Sequence, residues 1–255
     1  MSKRRRFVIA SLILSLGFVG IQYLTDQNRF WAIAVLGLAT IVLFAWSLWG
    51  TLGKNMTLLT LVLPVMFTVG VGIFWFLLPA NIYTRIPIVI FYGIGIYILL
   101  LTVNIFTVSA VRTIALLRAA KGVGFVLSLV TAFLIFDAIF SLRTEAYYLA
   151  PAIFVVSLPL YLQGFWTVLL EKKLPKDILN LSIVSSLVTA EIGLALYFWP
   201  VTVVVGSLFL TVFFYVLMGL GQAKIDGRLF PSVIREHLVV GTLVFAAMFF
   251  ATHWG

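Results

Sequence analysis

Cysteine is absent from this 255-residue chain, and histidine occurs only at His237 and His253. Disulfides, thiolate metal sites and cysteine nucleophiles are thereby excluded. The two histidines fall on one predicted helix about 24 Å apart, too far to share a metal or to ligate one haem. No metal and no cofactor is expected. Charge is scarce as well: 10% of the residues are charged and only 8 are acidic, where a soluble domain carries about 25% charged residues. A phosphate-cradling loop is missing, because Gly122-Val123-Gly124 has neither the spacing nor the lysine, and no H-E-x-x-H or G-x-S-x-G occurs.

What fills the chain is apolar: 63% of it is hydrophobic and 15% aromatic. A bilayer-crossing helix needs about 20 such residues. Segments of that kind fall at 7–24, 31–50, 57–78, 87–110, 122–142, 147–170, 178–199, 201–220 and 238–254. Each is apolar on all sides, as a lipid-immersed helix must be. The fold expected is all-α, a polytopic bundle of nine transmembrane helices forming a single domain over 1–255 with no soluble domain. That architecture leaves no room for a soluble catalytic, nucleotide-binding or nucleic-acid-reading domain. The first segment has the basic start of a secretory signal peptide. It lacks an A-x-A-like cleavage pattern around Gly20-Ile21-Gln22-Tyr23, so it is expected to be retained.

The net charge of +9 is sorted by side. With the N-terminus in the cytoplasm, Lys3, Arg4, Arg5, Arg6, Lys54, Arg112, Arg118, Lys121, Lys172, Lys173, Lys176, Lys224, Arg228 and Arg235 fall inside. Only Arg29, Arg85 and Arg143 fall outside, a 14-to-3 division of the 17 basic residues. Such asymmetry orients membrane helices, and it places the C-terminus outside. The basic excess is an orientation signal and implies no nucleic-acid partner. Arg112, Arg118, Lys121, Lys172 and Lys173 are candidate contacts to anionic headgroups on the cytoplasmic face. All seven tryptophans lie near predicted span ends, where aromatic belts sit. The expected location is a plasma membrane, of the bacterial inner-membrane type.

Connections are short. Trp199-Pro200-Val201 makes a tight outer hairpin, since proline ends one helix and suits the first turn of the next. The longest connection, 221–237, contains the Asp226-Gly227 turn signal and a short amphipathic helix expected over 231–236. Pro64 and Pro159 each free the carbonyl four residues earlier and mark candidate kinks. Their Leu-Pro steps, in oppositely oriented spans, hint at an inverted repeat of the kind transporters use.

Two carboxylates lie inside predicted spans, where an ionisable group costs about 2.5–3.5 kcal/mol at the centre and needs a reason. Asp137 sits about 8 Å of rise from the outer end of the fifth span, and Glu191 about 12 Å from that of the seventh. Either they line a substrate or ion pathway, or each bonds a neighbouring polar side chain and fixes helix packing. Gly93, Tyr97, Leu100, Asn104 and Thr107 form one polar, notched face of the fourth span, which must point into the bundle. Asn104 and Tyr97 join the pathway candidates. Tyr92, Tyr161, Tyr215 and Gln163 are candidates for the same internal network. In the seventh span Ser182, Ser185, Ser186 and Thr189 share a face, and Glu191 falls nearly opposite at 100° per residue.

Three functions fit these features. The first is a permease or transport-associated membrane subunit with an intramembrane carboxylate site. The second is a non-catalytic membrane scaffold or assembly component with protein partners in the bilayer. The third is an intramembrane enzyme acting on lipid with Asp137 and Glu191 as acid and base. The last requires their carboxyl oxygens to converge on a cleft within about 10 Å.

Overall fold

Without water in the hydrocarbon region every backbone N–H and C=O must be satisfied within the chain, which leaves uninterrupted helices as the solution for these segments. The computed structural model describes residues 2–21, 24, 26–49, 58–78, 82–108, 114–171 and 174–252. Among them are nine helices and no strand. In chain order these are α1 Lys3–Ile21, α2 Asp26–Ser47, α3 Leu59–Phe76, α4 Ile82–Val108, α5 Ile114–Ser141, α6 Ala146–Leu169, α7 Lys176–Tyr197, α8 Val203–Ile225 and α9 Pro231–Ala251. Eight of them are long and apolar enough to cross a bilayer. The exception is α1, whose first four residues are all basic. What remains is about 22 Å of apolar helix, short of the roughly 30 Å hydrocarbon core. The protein is a multi-pass membrane protein.

Several helices begin earlier than hydropathy suggests. α4 starts at Ile82 and runs through Pro87. α5 starts at Ile114 and carries Arg118 and Lys121 on its opening turns. The short amphipathic helix expected over 231–236 is instead the first part of α9, which opens with Pro231 in its first turn. Pro64 and Pro159 lie inside α3 and α6 and end neither.

The helices fall into two compact units, Met1–Thr131 and Ala132–Gly255, with the division inside α5. In the first, α1 packs on α2 and α4, and α3 on α2 and α4. α1 approaches α4 closely at Gly93, where an added Cβ would stand 2.6 Å from Ser15 Oγ. The interior is tied by a hydroxyl relay from α2 to α4: Thr40 Oγ1 to Thr68 Oγ1 at 3.1 Å, and Thr68 Oγ1 to the Tyr92 hydroxyl at 3.1 Å. Tyr92 also packs its ring against Phe18 and Phe67. Thr68→Val is expected to lower the thermal midpoint in detergent by a few degrees, because it breaks the middle of the relay at about 1 kcal/mol. An unchanged midpoint would show that the relay contributes nothing to stability.

In the second unit α6 and α7 form the most extensively packed pair, α8 packs on both, and α9 lies on α8. The Ser/Thr face of α7 is buried, with Ser182 and Ser186 bonding the carbonyls of Ile178 and Ser182, and Thr189 that of Ser185. Across the α6–α7 seam the Tyr161 hydroxyl meets Thr189 Oγ1 at 2.9 Å. Close approach is made where side chains vanish: Gly164 receives Met218, Gly193 receives Ile153 and Gly221 receives the ring of Phe165.

The tryptophans divide in a way their sequence positions conceal. Trp31 and Trp49 are exposed, but Trp75 and Trp166 are only 3% and 2% exposed. Trp75 packs edge-on against Phe18 with the Arg85 guanidinium 5.3 Å from its ring centroid, and Trp166 donates to the Glu171 carbonyl at 2.7 Å. Nearness to a helix end sets depth in the membrane, whereas the azimuth around the helix decides whether the ring meets lipid.

Candidate functional site

Asp137 lies near the C-terminal end of α5 and is 5% exposed. Its Oδ1 accepts a hydrogen bond from Ser207 Oγ, on α8, at 3.0 Å. The Ser207 hydroxyl has one proton and a second acceptor in reach, the Val204 carbonyl at 3.1 Å. One turn further on, Thr211 Oγ1 donates to the Ser207 carbonyl at 2.7 Å. Ser207 and Thr211 thus mark a hydroxyl-bearing face in the apolar first half of α8, the one sequence signal that this helix could meet a carboxylate.

Above this pair, at the end where α5 and α7 finish and α6 and α8 begin, a cavity of 590 Å³ opens. Its lining includes Phe140, Arg143, Tyr197, Trp199, Thr202 and Gly206. Phe140 follows Asp137 by one turn of α5 and Val203, also in the lining, precedes Ser207 by one turn of α8. The carboxylate–hydroxyl pair therefore lies just beneath the lining, one turn from Phe140 on α5 and one residue from Gly206 on α8. Arg143 is exposed and its backbone is left-handed, with φ 46°. That conformation is uncommon for a residue with a side chain and has to be held by its surroundings. Its guanidinium makes no hydrogen bond or ion pair among the described residues.

Glu191 is placed differently. It is exposed on the α7 face opposite the buried Ser/Thr stripe, in line with Asn180, Val184 and Leu187. Among the described residues it has no hydrogen-bond or ion-pair partner. The acid–base reading requires both carboxyl groups to line one cleft. Asp137 is interior and held by Ser207, whereas Glu191 faces outward, and neither lines the cavity.

Asn104 and Tyr97 both belong to α4 in the first unit. Tyr97 borders an apolar groove between α1 and α4. The Oδ1 of Asn104 is buried without a hydrogen-bond partner, while its backbone carbonyl accepts from Thr107 Oγ1 at 2.9 Å. The internal phenols have separate neighbours: Tyr92 bonds Thr68, Tyr161 bonds Thr189, and Tyr215 stacks on His237. Gln163, 3% exposed on α6, has an Oε1 with no partner. His237 Nδ1 pairs with the Val233 carbonyl at 2.9 Å, and the ring lies against Gly219 of α8. No group of acidic or histidine side chains among the described residues is arranged to hold a metal ion. Of the basic residues expected at headgroups, Arg118 is exposed and Lys121 half-buried. Arg112, Lys172 and Lys173 lie outside the described residues, as do Lys54, His253 and Trp254.

Arg143 and Trp199 are the functional candidates that composition and periodicity miss. In the sequence they register only as an outside charge and a belt aromatic, and it is the fold that sets them around one cavity. The chain belongs to a family described as Protein of unknown function (DUF5656), which matches residues 31–251. Nothing matches it among curated proteins or among solved structures.

Proposed function

Kinship with a family of unknown function leaves the role to be argued from the chain's own geometry, and we propose that the protein is a proton-linked permease or the membrane subunit of one. The observation that carries this reading is the buried Asp137, held across α5 and α8 by Ser207 just beneath a cavity. An intramembrane carboxylate in such a place is expensive and usually functional. The positive-inside distribution of the basic residues supports an orientation in which this cavity faces outside. Asp137 then takes up a proton from the cavity side, and Ser207 orients the carboxyl group. In proteoliposomes carrying an internal pH dye, with a potassium gradient and valinomycin to drive entry, the full chain is expected to admit protons. Asp137→Asn, which keeps the shape and the Ser207 contact, is expected to slow entry by about two orders of magnitude, the scale of a proton-transferring side chain. An unchanged rate in that variant sinks the reading.

A second reading, a membrane assembly component, is favoured by Glu191. An exposed intramembrane carboxylate without a partner among the described residues is accounted for if a second chain covers it.

A further inference from the structure

A second hollow adjoins the cavity beneath Arg143. Between α7, α8 and α9 lies an apolar cleft of 380 Å³. Its lining on α9 steps through Leu238, Gly241, Phe245 and Met248, at helical spacing and over about 15 Å of rise. It is therefore long and narrow rather than round, and both hollows fall within the usual volume of small-ligand sites, about 300–1,000 Å³. Leu196 and Trp199 line the cleft and the cavity alike, so the two are neighbours on either side of these side chains at the end of α7. At the cavity stands the Arg143 guanidinium, which has no counter-ion among the described residues. The same end of the unit exposes Tyr147, Tyr148, Tyr197 and Phe198, the residue types that collect at headgroup depth.

We propose that cavity and cleft together bind one anionic phospholipid, its phosphate on Arg143 and an acyl chain in the α7–α8–α9 cleft. A guanidinium matches phosphate in charge and in geometry. The apolar cleft supplies a place for the chain that a free phosphate would leave empty. The proposal names the substrate class for the cavity of the permease reading, on which it rests, but it is tested by binding rather than by flux.

The full chain is released from nanodiscs of equal phosphatidylglycerol and phosphatidylcholine and analysed by native mass spectrometry. Phosphatidylglycerol is expected to be retained in preference, as a single bound lipid. Arg143→Gln is expected to lower that preference about fivefold, the worth of one basic residue at a membrane surface. Ala195→Phe, which fills the cleft from an exposed position on α7 and leaves Arg143 in place, is expected to lower retention as well. Glycerophosphoglycerol, the headgroup without chains, is expected not to displace the lipid. Retention unchanged in both variants overturns the proposal, as does displacement by the headgroup alone or a preference lost on Arg118→Gln instead. Asp137→Asn is expected to keep the lipid. Flux preserved in that variant with lipid lost in Arg143→Gln removes the permease reading and leaves the lipid site without a role as a substrate site. The opposite pattern removes the lipid site alone.

Discussion

Gly221→Leu is expected to destabilise the second unit more than any other single change considered, lowering the thermal midpoint by about 6–12 °C for a loss near 3 kcal/mol. A Cβ at Gly221 would overlap Cε1 and Cζ of Phe165. That ring is fully buried and cannot swing into solvent. It stacks on Tyr161 at 5.6 Å, Tyr161 packs on Phe214 at 4.3 Å, and the Tyr161 hydroxyl is committed to Thr189. Displacing Phe165 therefore disturbs α6, α7 and α8 together, and close-packed interiors absorb added volume poorly. Gly122→Leu is the matched control, because nothing lies within 4 Å of a Cβ there. It is expected to be neutral or to stabilise by about 0.5–1 kcal/mol through helix propensity. Thermal unfolding of both variants in detergent, followed by tryptophan emission, checks the pair. Midpoints for the two variants that coincide would show that Gly221 is not a packing site.

Glu191→Leu is expected to act in the opposite direction, raising the midpoint of the isolated chain. Glu191 is exposed, about 9 Å of rise before the end of α7, and has no partner among the described residues. A carboxylate facing hydrocarbon costs about 2.5–3.5 kcal/mol at the bilayer centre and less toward the interface. Replacing it with leucine is therefore expected to stabilise by about 2 kcal/mol, or about 4–8 °C. Particle mass in detergent is measured alongside. A higher midpoint at constant mass is the expected result. A fall in mass, with loss of a larger species, would transfer Glu191 to the assembly reading, in which it faces a second chain.

Membrane embedding was legible because it depends on composition: helices long and apolar enough to cross, with basic residues sorted between alternate connections. The two faces of α7 were legible too. Its hydroxyls repeat at helical spacing and pack inward, and 100° per residue carries Glu191 to the other side. Helix starts were less legible. Hydropathy reports where a segment enters lipid, but a helix satisfies its own backbone and continues past that boundary, as α5 does through Arg118 and Lys121.

The sequence by itself determined the class, an all-helical membrane protein, since lipid allows a spanning backbone few alternatives. Only the tertiary structure decided who meets whom. Asp137 finds Ser207 across 70 positions, Tyr161 finds Thr189, and Arg143 shares a cavity with Trp199. The physical reason is that most of these helices are largely apolar around their circumference, so burial of apolar surface does little to choose their rotation. Steric fit at small residues such as Gly164, Gly193 and Gly221 chooses it instead, and that fit exists only once the neighbouring helix is in place.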